Sequence, residues 1–212
     1  MLFGLVRMVF IIILLVVFLL IMRILNITIT KKKLIIIIIV AMVMYTVSCF
    51  VPIENAFIKF SSAESSYEYM QTATIQEVIQ GENTSLVLGE KWNEELPVTS
   101  IIPKSDDGWK LGMAADLKMR GVIIIDGIEL FLVQYKDTDE YYIRVKDDNK
   151  SKLRISDSMN SEFVCYTKSD TEQKEIRYLY YAFLNNLVEE YSLTVNDKLI
   201  EVDLAKLEQM LE

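Results

Sequence analysis

Chemistry requires side chains that shuttle protons, attack carbonyls or hold cations, and this chain offers few of them in useful company. It contains no histidine. Imidazole-dependent mechanisms, from Ser-His-Asp and Cys-His nucleophile activation to HExxH zinc hydrolysis, are therefore excluded. Carboxylates remain. Asp106 with Asp107, and the group Asp137, Asp139 and Glu140, come nearest to the paired acids of a glycosidase or to a calcium site. Neither fits the D-x-[DN]-x-[DN]-G-x5-E loop, and acids in short turns ordinarily cap local amides, so both are read as turn residues. The seven glycines form no GxGxxG or GxxxxGK[ST] cradle for phosphates. No catalytic residue, metal ligand or cofactor is expected, and the chain is read as a non-enzyme.

Recognition surfaces are better represented. In the run Ile101-Ile102-Pro103-Lys104, followed by Gly108-Trp109-Lys110, Pro103 suggests a strand end or edge. Trp109 flanked by Lys104 and Lys110 would make an aromatic platform for a sugar or peptide, although a strand Trp commonly packs in a core. Alternation places Tyr178 and Tyr180 on one face and Tyr181 on the other, and Tyr141 joins them as a candidate binding residue, against the plainer reading that these are β-favouring sheet residues. Two cysteines, Cys49 and Cys165, give no disulfide framework. Cys165, in Phe163-Val164-Cys165-Tyr166, is expected to pack as a small hydrophobe.

These residues need a platform, and the first fifty residues supply an anchor. Met1 to Phe50 contains no Asp or Glu. Leu2 to Met22, interrupted only by Arg7, and Leu34 to Val51 each approach the roughly 20 apolar residues that span a bilayer. Arg7 is expected to mark a helix end, its long stem reaching the interface. The connection Arg23 to Lys33 holds Arg23, Lys31, Lys32 and Lys33, which predicts a cytoplasmic loop and an extracytoplasmic C-terminal domain in the cell membrane. A second layout overlaps this one. From Met22 onward the chain has the basic, apolar and small-residue regions of a signal peptide, and Thr46-Val47-Ser48-Cys49 resembles a bacterial lipobox, which makes Cys49 a candidate lipidation site and Met22 an alternative start. The plain reading, Cys49 as a small residue near a helix end, is preferred.

Charge divides the same way. Five of the 22 basic residues precede residue 51 and none of the 30 acidic ones do, so residues 51–212 carry 17 against 30, a net of −13. Such a field repels nucleic acid and other polyanions, so neither nucleic acid nor nucleotide is an expected partner. The scarcity of cysteine fits a bacterial surface better than a secreted eukaryotic domain.

Beyond the anchor, assigned to residues 1–52, the pattern is that of a β-rich domain over 53–212. Ser61 to Gln71 reads as a helix, with Ser61 or Ser62 as cap and Glu64 in the first turn. Val122 to Ile125 and Ile128 to Phe131 flank Asp126-Gly127, a type I′ hairpin signal. A second hairpin joins Leu130–Tyr135 to Glu140–Lys146, in which Tyr141, Ile143 and Val145 share one face. Further strands are predicted at Ala73–Gln80, Ser85–Glu90, Val98–Pro103, Leu153–Ser156, Glu162–Thr167, Glu175–Phe183, Tyr191–Val195 and Lys198–Val202, with a short amphipathic helix from Asp203 to Glu212. The fold class is mainly β (α+β): an antiparallel meander or sandwich behind two transmembrane helices, either as one domain or as subdomains 72–120 and 121–203.

The succession Asn55-Ala56-Phe57, Phe60-Ser61-Ser62-Ala63-Glu64, Gly81-Glu82-Asn83-Thr84-Ser85-Leu86-Val87, Ile101-Ile102-Pro103-Lys104-Ser105-Asp106-Asp107-Gly108-Trp109-Lys110 and Tyr191-Ser192-Leu193-Thr194-Val195-Asn196-Asp197 resembles a family of small uncharacterised proteins. These are held outside the membrane of low-GC Gram-positive bacteria by an N-terminal hydrophobic segment. The resemblance spans most of residues 53–202 and implies an anchored extracytoplasmic domain; it brings no functional residues with it. The leading expectation is an integral membrane protein acting as a non-catalytic interaction module, with an envelope protein as partner. A structural subunit of a membrane complex and a carboxylate-based hydrolase of envelope sugars are the alternatives.

Overall fold

The computed structural model describes residues 2–26, 30–50, 52–92, 94, 96–113, 116–136, 138–147, 151–170, 175–187 and 190–203. Two long helices open the chain, α1 (Leu2–Ile24) and α2 (Lys31–Phe50). Helix α1 stops where Asn26 takes a left-handed φ of 52°, a conformation that asparagine tolerates at a helix end. Helix α2 starts behind Thr30, whose Oγ1 accepts from the Lys33 amide at 3.4 Å. Gly4–Ile24 is long and apolar enough to cross a membrane. Its side chains are largely open, with Leu5 59% and Leu20 52% exposed, as a surface meeting hydrocarbon would be. Helices α1 and α2 pack together, and Arg7 near the start of α1 meets Glu54 just past the end of α2, so the pair is an antiparallel hairpin.

A single 3-10 turn (Ile53–Ala56) leads to α3 (Ala63–Met70). Ser62 caps α3 in a reciprocal box with Ser65: each hydroxyl accepts from the other residue's amide, at 3.2 and 3.1 Å. Among the described residues twelve strands follow. A four-stranded sheet holds β1 (Thr74–Gln80), β2 (Thr84–Glu90), β3 (Val98–Ser105) and β4 (Gly108–Trp109) in chain order. A five-stranded sheet is built from β5 (Leu117–Ile125), β6 (Ile128–Tyr135), β7 (Glu140–Asp147), β9 (Val164–Asp170) and β10 (Glu175–Asn185), ordered β5-β6-β7-β10-β9. The third sheet is β12 (Lys198–Asp203), β11 (Glu190–Val195) and β8 (Ile155–Asp157). All pairings are antiparallel. The predicted Asp126-Gly127 hairpin turn takes the required backbone, with φ of 51° and 81°, and Asn196 and Asp197 between β11 and β12 do the same at 49° and 68°.

The five-stranded sheet is the middle layer. One face, through Leu130, Leu132, Ile143, Val145, Ala182 and Leu184, packs on Leu193, Val195 and Ile200 of the third sheet. The opposite face, through Tyr135, Tyr142, Leu179 and Tyr181, packs on Leu86, Leu88 and Ile101 of the first sheet. The first sheet's outer face is covered in turn by Ala63 and Tyr67 of α3. The fold is thus mainly β, with one layer more than a two-sheet sandwich. The predicted helix at 203–212 begins within β12, and its remainder lies outside the described residues.

This layering corrects two expectations. Tyr180 is only 5% exposed, because β10 lies inside a sheet covered on both faces, so one-face exposure by alternation does not hold there. Cys165 is exposed instead of packed, since β9 is the edge strand of that sheet and Tyr166 is the residue turned into the core.

Candidate functional site

The sequence singled out the stretch Pro103 to Lys110, and in the structure this stretch receives the chain that follows α2. Phe60 and Trp109 exchange backbone hydrogen bonds at 3.1 and 3.0 Å. Ser66 Oγ donates to the Lys110 carbonyl at 3.0 Å. One residue further on, Asn55 Nδ2 donates to the Leu111 carbonyl at 3.0 Å while its Oδ1 accepts from the Leu111 amide at 2.7 Å. Trp109 is half-buried against the α3 cluster, and the Lys104 ammonium stands 5.7 Å from its ring centroid. Trp109, Lys104 and Lys110 therefore form part of a junction between the N-terminal helical region and the β domain, with the Trp ring committed to packing.

The tyrosines are elsewhere. Tyr141 and Tyr178 are half-buried on the cluster between the middle and third sheets, and the Tyr180 hydroxyl accepts from the Leu153 amide at 2.9 Å. The Trp109 group belongs to the first sheet, so the structure does not unite the six residues in one surface.

At the base of the junction sits an ion pair that the sequence did not announce. Arg7 Nε and Nη2 donate to the two oxygens of Glu54 at 2.8 and 2.9 Å, a bidentate fork. The side chains are 1% and 0% exposed. Arg7 stands near a helix end, as expected, and there its guanidinium is covered by protein. Phe10 of α1 stacks on Phe57 with ring centroids 6.5 Å apart, and α1 also touches α3. Burying two charges is tolerable only with such saturated geometry, and leaving either alone would be far more costly than never having the pair.

Carboxylates named from the sequence hold local structure. Asp107 pairs with Lys59 and accepts from Ser105 Oγ at 2.8 Å, and these bonds, the Lys59 one foremost, hold its carboxyl down to about 2. Glu140 is buried: Oε1 accepts from the Asn83 amide at 2.6 Å and from Asn83 Nδ2 at 2.9 Å, while Oε2 accepts from the Thr84 hydroxyl. It ties the β1–β2 turn to the middle sheet. Asp137 lies outside the described residues. Among the described residues no group of three or more Cys, Asp or Glu is placed to hold a metal ion.

Among the described residues the most open aromatic side chain is not one of those singled out above. Trp92, in the loop between β2 and β3, is 94% exposed, and Leu96 in the same loop is 41% exposed. Lys168 braces the loop by donating to the carbonyls of Lys91, at 3.1 Å, and Glu94. The available signal was a Trp inside the polar run Lys91-Trp92-Asn93-Glu94-Glu95, where no alternation demands an apolar residue. Comparison with protein-family models, with curated proteins and with solved structures finds no match to this chain.

Proposed function

We propose that the chain is a membrane-anchored extracytoplasmic protein whose β domain is a non-catalytic interaction module, akin to the small anchored proteins of low-GC Gram-positive bacteria that its turns resemble. The observation that carries the reading is the polarity of the helical hairpin. Arg23, Lys31, Lys32 and Lys33 lie at the end away from the β domain, because Arg7 and Glu54 meet at the other end. Short cationic loops favour the cytosol, and this supports a domain on the outer side. Its contact element on this reading is the braced loop carrying Trp92 and Leu96, since an exposed Trp supplies contact area at small entropic cost.

Two measurements test the proposal. Protease added to intact cells should digest the β domain while leaving the hairpin, and a photo-crosslinker at position 92 should join an envelope protein that the same reagent at position 201 does not. A domain spared until the cells are lysed would refute the location. Equal labelling from both positions would refute the role of the loop.

A further inference from the structure

Arg7 and Glu54 lie on opposite sides of the Ser48–Cys49 peptide bond and of Met22, and their contact constrains how the chain can mature. We infer that α1 stays covalently part of the folded protein: the bond before Cys49 is not cut, Cys49 is not converted into a lipidated N-terminus, and residues 1–21 are translated. A discarded leader is a segment the mature fold can do without. Here, loss of α1 removes the guanidinium from a carboxylate that is 0% exposed, and the Phe10–Phe57 stack and the α1–α3 contact go with it. Translation starting at Met22 would delete Arg7 and Phe10 in the same way. The Ser48–Cys49 bond also lies within α2, whose helix runs on to Phe50, so the backbone there must unwind before a peptidase could seat it. This inference rests on the membrane placement proposed above, but not on which side the domain faces.

The test uses the full chain with a C-terminal affinity tag, expressed in a Gram-positive host that matures lipoproteins and purified from its membranes. Intact mass should equal the 24.5 kDa chain plus tag, with peptides covering Arg7. A chain that begins at lipidated Cys49, or at Met22, overturns the inference. The cause is tested separately. Arg7→Gln should lower the Tm in detergent by roughly 6–20 °C, the scale of breaking a buried pair in a domain of this size. The double variant Arg7→Leu with Glu54→Leu should recover more than half of that loss. Should Arg7→Gln fail to accumulate, Arg7→Lys keeps the charge without the fork and should fall between the two. An Arg7→Gln protein as stable as the parent would overturn the role given to the pair. These outcomes do not depend on the protease result, so the two proposals fail independently.

Discussion

Replacing Glu140 by Ala removes the clamp between the β1–β2 turn and the middle sheet, and its cost follows from what each donor is left with. The carboxylate accepts three hydrogen bonds, two from Asn83 and one from Thr84. Asn83 is exposed, so its amide and side chain can turn to water and lose about 0.5–1 kcal/mol each. Thr84 is 0% exposed, yet its hydroxyl keeps the Tyr142 hydroxyl at 2.8 Å. Adding the cavity left by a 2% exposed side chain gives about 2–4 kcal/mol, or roughly 4–16 °C in Tm for a domain of this size. Glu140→Gln keeps an acceptor for Asn83 and should cost about 1 kcal/mol. Thermal unfolding followed by near-ultraviolet circular dichroism measures both, and hydrogen exchange should show the loss first in the amides of β1 and β2. A Glu140→Ala protein within 0.5 kcal/mol of the parent, or exchange rising equally in β11 and β12, would refute the reasoning.

The remaining expectations are shorter. Acrylamide should quench the emission of Trp92 fully and that of Trp109 weakly, and Trp92→Phe should abolish the red-shifted component. Burial pushes the Tyr67 hydroxyl up to about 12, so it stays neutral well above the ordinary value of 10.0. The stability this confers is complete below the ordinary value of 10.0 and declines as pH rises through about 12, which absorbance at tyrosinate wavelengths would follow. Burial alone would raise the carboxyl of Glu129, but hydrogen bonds from Lys146 at 2.7 Å and Arg144 at 2.5 Å outweigh it and hold the group below the usual range. Its stabilisation is present above that range and lost as pH falls through the lowered value, so acid melting below about pH 4 should be blunted in Glu129→Gln. At Gly89 a Cβ would stand 2.1 Å from the Tyr67 hydroxyl, which donates to the Val98 carbonyl at 2.8 Å. Gly89→Ala should therefore cost about 1–3 kcal/mol, with part of the loss shared by Tyr67→Phe in a double-mutant cycle.

Local signals carried most of the secondary structure. Asp126-Gly127 and Asn196-Asp197 announce hairpins because few other dipeptides accept two left-handed residues in succession, and both are found where the sequence puts them. Ser62 could be expected as a cap because a serine hydroxyl satisfies an amide that the first turn leaves open. The stacking of sheets was not legible. The run Tyr178-Leu179-Tyr180-Tyr181-Ala182-Phe183-Leu184 is apolar at nearly every position, the mark of a strand covered on both faces, and alternation misleads there. Nor was the Arg7–Glu54 contact legible, since its partners are 47 residues apart and only the hairpin of α1 and α2 brings them together. Cys165 turned outward because strand order, which decides what lies at an edge, is not written in any one segment.

The order of assembly follows from the shared cluster between the first and middle sheets. Leu86, Leu88 and Ile101 emerge early, just behind the opening helices, but their cover includes Leu179 and Tyr181, which are made roughly 80–95 residues later. Until β10 arrives, the nascent protein has only part of the cover for this greasy flank, including Tyr135 and Tyr142 of the middle sheet. Its birth is therefore a race between threading the second half and sticking to the wrong surface, and a pause introduced between β4 and β10 should lower the yield of folded protein while leaving the finished molecule unchanged.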